Sequence, residues 1–290
     1  TWIVAVVVGL ALGALVGVFQ GFLVGYIKIP AFIVTLGGLL IWRGLIFRFE
    51  QGQTLSPLDS TFGRIGGGGA DGSLGDWKSW LVGGIACALI IASVVLSRRR
   101  RQRFDLPLRP MWLDVGIAVL GCAVVVAGIG LVANRYISPI TGNPTGIAYP
   151  VVILIMVTIL MTFLARRRPF GRYVAAYGGT PEAAELGGIN TRKVVMMTFV
   201  LMGVLCAVSA AVQTARLDAA VTNLGVTNEL DVISAAVIGG TSFAGGIGTI
   251  PGAVLGAVIM QSLRSGMVLL KVDSPKQDVV VGLVLIVAVG

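Results

Sequence analysis

Apolar stretches alternate with short polar links along this chain, and the lengths of the stretches predict its elements. Continuous apolar runs cover residues 3–27, 31–49, 79–97, 112–134, 148–165 and 194–215. Each approaches or exceeds the ~20 residues a helix needs to cross a hydrocarbon core about 30 Å thick. A region at 231–270 is interrupted by glycine and proline, and a last apolar run opens at Val279. The pattern predicts an all-α fold, a polytopic transmembrane helical bundle with a broken or re-entrant segment near 231–250, forming one transmembrane domain over 1–290. The chain starts at Thr1 inside one apolar run and stops at Gly290 inside another. It is therefore expected to be clipped at both ends.

Composition agrees with that pattern and removes the alternatives. Of 290 residues, 56% are hydrophobic and 12% charged, and mean hydropathy is +0.94. Soluble domains are about 25% charged, so this chain could not cover a water-facing surface. The net charge of +9 invites a nucleic-acid partner, but the basic residues are gathered in links between apolar runs, as membrane topology dictates. Cys87, Cys122 and Cys206 all lie inside apolar runs, so no disulfide framework is expected. The chain has no histidine, and it shows no paired acids, nucleophile–base set or metal-ligand spacing. Neither intrinsic catalysis nor a cofactor or metal is expected.

Two links are strongly basic. One holds Arg98 to Arg101, Arg103 and Arg109; the other holds Arg166 to Arg168, Arg172, Arg192 and Lys193. The positive-inside rule places both in the cytoplasm, and the two spans between them allow it. Lys28 then falls inside, and the segments 50–78, 135–147, 216–230 and 271–278 fall outside. Nine of the 13 acidic residues lie in those outer segments, Asp231 at their edge included.

Within the first span Gly9, Gly13, Gly17, Gly21 and Gly25 recur every fourth residue. They form one helix face on which a neighbouring backbone can approach closely; a packing ridge is the expected role. Gly252 and Gly256 repeat the spacing. The segment from Gly239 to Gly252, with glycines at 239, 240, 245, 246, 248 and 252 and a proline at 251, cannot form a continuous helix. It reads either as a break at membrane depth that lines a wet cavity or as a cytoplasmic or interfacial hairpin loop. The run Gly66 to Gly69 lacks the Gly-Lys-Ser/Thr ending of a phosphate loop and reads as an external loop. Polar groups inside spans are few: Gln20, Arg43, Arg48, Asp114, Gln213 and Arg264. Arg43 and Arg264 lie deepest, where a charge is a candidate for function.

The second basic link, 166–193, contains Gly178-Gly179-Thr180-Pro181-Glu182-Ala183-Ala184-Glu185-Leu186-Gly187-Gly188-Ile189-Asn190. Thr180 suits an N-cap and Pro181 the first helical position. Glu182 lies in the first turn, where the helix dipole favours negative charge. Gly187 and Gly188 suit a left-handed close. A short cytoplasmic helix is expected, with Ala183 and Ala184 leaving a smooth surface for a partner's groove. Taken alone, it is equally a surface turn.

That stretch resembles the Gly-x-Asn-Pro-x-Ala-Ala-x-x-Ser-Gly-Ile-x signature of the permease subunits of bacterial ABC sugar importers of the ribose, xylose and arabinose type. Thr180 stands where the pattern usually has Asn, and Gly187 where it often has Ser. Pro30-Ala31-Phe32-Ile33-Val34-Thr35-Leu36-Gly37 with Arg43-Gly44, and Val237 to Ser242 with Gly245 to Thr249, are similar to further stretches of that family. The extra spans flanking Arg98 to Arg103 are more like the xylose permeases. The resemblance implies a multi-pass transport subunit of the bacterial inner membrane, working as a homodimer and carrying no ATPase of its own. An ABC ATP-binding subunit would dock on the coupling helix formed by Thr180, Pro181, Glu182, Ala183, Ala184, Leu186 and Gly187. A periplasmic sugar-binding protein would deliver a monosaccharide, expected to be xylose or a similar pentose. Asn223, Asp231, Thr241, Ser242 and Phe243 are the candidates for the translocation pathway. Branched-chain amino-acid permeases are a second reading with a different cargo. A membrane enzyme acting on lipid-linked sugars is a third, which lacks the carboxylate or histidine constellation it needs.

Overall fold

The computed structural model describes residues 2–67, 72–103, 111–135 and 146–289. Gly68, Gly69, Asp71, Arg109 and the outer link at 136–145 lie outside them. In chain order the helices are α1 (Trp2–Gly25), α2 (Ala31–Glu50), α3 (Ser60–Gly63), α4 (Asp76–Arg103), α5 (Met111–Arg135), α6 (Tyr149–Arg167), α7 (Pro169–Gly179), α8 (Pro181–Leu186), α9 (Thr191–Leu217), α10 (Asn228–Ile238), α11 (Ile250–Leu269) and α12 (Ser274–Val289). Two isolated bridges are the only strand-like pairings among the described residues. The molecule is an all-α bundle, as the apolar pattern predicts.

Two elements differ from expectation. The sequence gives no sign of α7, which occupies what reads as a link. The region 231–270 is not broken throughout: it resolves into the short α10, an irregular segment at 239–249, and α11, which is long and apolar enough to cross a membrane. The interruption hides a helix start, because Thr249 is the N-cap of α11 and its hydroxyl accepts the Gly252 N–H at 3.2 Å, with Pro251 in the first turn. Proline and glycine there initiate a helix rather than prevent one.

The described residues divide into two compact units, one of Thr1–Pro57, Leu154–Thr214 and Ala219–Gly290, the other of Leu58–Ile153 and Ala215–Asp218. In the first, the glycine ridge of α1 lies against the backbone of α9. A methyl group at Gly13 would meet Gly203, one at Gly17 would meet Phe199 and Val200, one at Gly21 would fall 2.9 Å from Met196 Cα, and one at Gly25 2.8 Å from the Arg192 carbonyl oxygen. Helices surrounded by lipid gain little by burying apolar area, so backbone proximity of this kind holds them together. Gly9, at the far end of the ridge, faces open space. The contact also runs α1 antiparallel to α9 and brings the exit of α1, beside Lys28, to the Arg192–Lys193 entrance of α9. Both expected cytoplasmic links therefore share one end of this unit.

α10, α11 and α12 form its other packed group. Ala235, Met260, Met267 and Val281 are buried together, with Ile238, Leu263 and Val272 against them. Gly256 sits on the Ala235 carbonyl and Gly252 on Gly239, so α10 and α11 make a tight antiparallel hairpin.

In the second unit the segments expected outside meet one another. Ser79, fully buried, donates to the Gly75 carbonyl at 2.6 Å and accepts the Ile147 N–H at 2.9 Å. Gly66 is packed on the backbone of Ala215 and Arg216, so the start of the glycine run is a fixed contact and not a free loop. The Asp218 carboxylate accepts the Leu58 N–H at 3.2 Å. Asp59 caps α3 through Thr61, whose hydroxyl and N–H hold the carboxyl below its ordinary value.

Candidate functional site

The basic end of the first unit carries α7 and α8. α6 ends in Arg166 and Arg167, and the Arg168 guanidinium lies 5.4 Å from the Phe163 ring centre. α7 then begins with Pro169 and folds back so closely that Gly171 rests on the Ala165 backbone; no other residue fits there without displacing the turn. Thr180 sits at the N-cap of α8 in an extended conformation, but its side chain makes no capping bond. The expected hydroxyl cap is absent, and Pro181 in the first turn, with no N–H to satisfy, removes part of the need for one. The C-terminus closes as expected one residue later: Gly187 is not left-handed, whereas Gly188 has φ of +79°. The Gly188 N–H reaches the Glu185 carbonyl at 3.0 Å and the Ile189 N–H the Ala184 carbonyl at 3.1 Å, the paired bonds of a Schellman close. Asn190 starts the next helix, its side-chain oxygen accepting the Lys193 N–H at 3.1 Å.

The two alanines of α8 differ in exposure, Ala183 being exposed and Ala184 buried. Ala184 is buried at 5% exposure and anchors the helix, which corrects the expectation that both alanines form a docking surface. The outward face is Pro181, Glu182, Ala183, Glu185 and Leu186. Leu186 is 91% exposed. A large, almost fully exposed apolar side chain beside two carboxylates on a short helix has the form of an interface anchor.

The segment 239–249 meets this end. Gly178 is in backbone contact with Gly245 and Gly246, both left-handed, at φ +91° and +75°. The segment folds as a hairpin loop between α10 and α11 that touches α7. Within it the Ser242 N–H bonds the Ile247 carbonyl at 3.0 Å, and the Ser242 hydroxyl accepts the Ala244 N–H at 3.2 Å. Thr241 packs against Gly248, and Phe243 is 66% exposed.

A polar cavity of about 550 Å³ opens among α10, α11 and α12, lined by Asn228, Asp231, Gln261, Arg264, Ser265, Val268, Leu269 and Gln277. Arg264 bonds the Asp231 carboxylate at 2.8 Å, and Asp278 lies 3.7 Å away. Arg264 Nε is buried with no partner among the described residues. Eight residues separate Asp231 from Gly239, about 12 Å of helix, and fourteen separate Ile250 from Arg264, about 21 Å. The pair thus lies well along the hairpin from its basic end.

The pathway candidates are therefore distributed over three places. Asp231 lines the cavity; Thr241, Ser242 and Phe243 lie in the basic-end loop; Asn223 sits exposed in the turn before α10. Arg264 stands out in the sequence as a deep charge, but its pairing with Asp231 does not. Asn228, Gln261, Ser265 and Gln277 carry no charge to single them out, although Gln261, Arg264 and Ser265 share one helical face at spacings of three and four.

Six helices among the described residues are long and apolar enough to cross a membrane. With Lys28, Arg166 to Arg168, Arg172, Arg192 and Lys193 collected at one end of the first unit, they define a multi-pass membrane protein. The family profile described as branched-chain amino acid transport system / permease component matches residues 1–289, and the chain belongs to that family. The xylose transport system permease protein of Haemophilus influenzae is 39% identical over 286 residues, 99% of this chain and 73% of that protein. That of Escherichia coli K12 is 37% identical over 284 residues, 98% of this chain and 69% of that one. The ribose import permease protein of Escherichia coli K12 is 33% identical over 201 residues, 69% of this chain and 63% of its own length. No solved structure gives a significant match.

Proposed function

We propose that this chain is the permease subunit of an ATP-driven importer that carries a monosaccharide, xylose or a similar pentose, across the bacterial inner membrane. The observation that carries the reading is identity of 37–39% to xylose permeases over 98–99% of the chain. On this reading the two compact units act as one permease, and two copies form the transport path. The permease hydrolyses nothing itself. An ABC ATP-binding subunit docks on α8, with Leu186 as its anchor, and a periplasmic sugar-binding protein delivers the substrate to the opposite face. Asp231 and the other pathway candidates belong to the route through the membrane.

The family description favours a second cargo, a branched-chain amino acid. The two readings separate on the ligand of the binding protein. Purification of the permease from its native membrane, with bound partners retained, is expected to bring down an ATPase subunit and a binding protein that titrates with xylose. A binding protein that titrates with leucine or isoleucine and not with a pentose would transfer the function to the second reading.

A further inference from the structure

The cavity lined by Asp231 and Arg264 lies away from α7 and α8. We infer that it is a binding subsite for a neutral, polyhydroxylated solute. The inference rests on the pentose reading above and adds to it the wall that recognises the sugar.

Its volume, about 550 Å³, lies within the range of small-molecule sites. Its polar lining alternates donors and acceptors. The amides of Asn228, Gln261 and Gln277 each do both, as does the Ser265 hydroxyl, while the carboxylate of Asp231 accepts and the guanidinium of Arg264 donates. A sugar hydroxyl also does both, so such a wall matches it at every contact. Arg264 is paired with Asp231 at 2.8 Å, and Asp278 lies 3.7 Å from the same guanidinium, so the wall offers oriented dipoles, no free cation and one carboxylate in excess. An anion is disfavoured there, whereas a hydroxyl needs only to bridge the pair. Arg264 Nε is a buried donor without an acceptor among the described residues, on the side chain that lines the cavity. Val268 and Leu269, on the same helix, give an apolar surface for the C–H face of a ring.

The site also has a mechanical connection. α10 carries Asp231 near its first turn and ends at Gly239, from which the loop runs to Gly245 and Gly246 against Gly178. α10 thus runs from the cavity to the loop that touches α7.

The test uses the whole complex, permease with ATPase subunit and binding protein, in proteoliposomes. Cys87, Cys122 and Cys206 are replaced by serine, and Ser265→Cys or, as an independent reporter on another helix, Gln277→Cys is introduced. Labelling by a membrane-impermeant maleimide is followed with xylose or leucine present, and xylose uptake is measured in parallel. Saturating xylose is expected to slow labelling at both positions at least about threefold by occupancy, and leucine to leave it unchanged. Gln261→Leu is expected to raise the half-protecting xylose concentration about three- to tenfold, the effect of one lost neutral hydrogen bond. A complex that takes up xylose while both reporters label at the same rate with and without it overturns the subsite and leaves the transport reading standing. Protection by leucine in place of xylose overturns the polyol chemistry. Absence of xylose uptake by the wild-type complex overturns the pentose reading itself.

Discussion

A single methyl group separates the glycines of α1 into two kinds. At Gly17 it would strike the Phe199 carbonyl and Val200 Cα, while at Gly9 it would meet nothing within 4 Å. Gly17→Ala is therefore expected to lower stability by about 1–3 kcal/mol, the cost of overpacking a closed contact. Gly9→Ala, which gains helix propensity and loses no contact, is expected to be neutral or stabilising by up to ~1 kcal/mol. Thermal unfolding of the two variants in detergent measures the difference; equal midpoints would remove the ridge from the account. The Arg264–Asp231 pair is a residue-scale matter too. Both side chains are about three-quarters buried, at 28% and 23% exposure, so solvent screens the pair only in part. A double-mutant cycle with Arg264→Gln and Asp231→Asn is expected to give a coupling of about 1–3 kcal/mol. Additive effects would show the two groups to be independent.

At the scale of elements, the order of apolar runs is what the sequence makes legible. The expected spans at 3–27, 31–49, 148–165 and 194–215 end within a few residues of α1, α2, α6 and α9, because each is bounded by charges or a helix-breaking pair. α7 is hidden because Phe170-Gly171-Arg172 has the composition of a link; what makes it a helix is Pro169 in its first turn and the fold-back of Gly171 onto Ala165, a tertiary contact. α11 is hidden because Gly239 to Gly248 close α10 and form the loop, while Pro251 and Gly252, which read as breakers, start α11. The outward face of α8 is half legible: helical spacing assigns Ala183 and Ala184 to adjacent positions, and only packing decides that Ala184 turns inward. The cavity is illegible, since Asp231 and Arg264 are 33 residues apart and meet through the turn of a hairpin.

These elements make distinct predictions. Leu186→Ser is expected to weaken copurification of the ATPase subunit at least about tenfold, as loss of an exposed apolar anchor does, with unchanged folding of the permease. Ala184→Leu, at a buried position, is expected to destabilise the permease itself by about 1–3 kcal/mol. Pull-down beside thermal unfolding separates the two, and a reversed pattern would mean that α8 presents its other face. In the loop, Gly245→Ala places a side chain at φ of +91° against the Gly178 carbonyl. Strain at such positions is of order 1–3 kcal/mol. The expected outcome is ATP hydrolysis that continues while uptake falls, read as a lower ratio of substrate moved to ATP consumed. An unchanged ratio would deny the loop a part in coupling.

Over the whole molecule, charge placement and packing agree on a direction. Lys28, Arg166 to Arg168, Arg172, Arg192 and Lys193 collect at one end of the first unit, with α7, α8 and the loop at 239–249. Asp231 lies in the first turn of α10, Asp278 near the start of α12, and Asp273 in the link just before it, beside Lys271 and Lys276. The positive-inside rule makes the first end cytoplasmic, the side on which an ATP-binding subunit works. The net charge of +9 thus records orientation in a membrane. The most direct test of this account is ATP-dependent accumulation of labelled xylose in proteoliposomes holding the permease, its ATPase subunit and its binding protein. Accumulation is expected only when all three and ATP are present, and Leu186→Glu is expected to abolish it while the permease remains folded in the membrane. Accumulation of leucine and no pentose by the same complete system would contradict it.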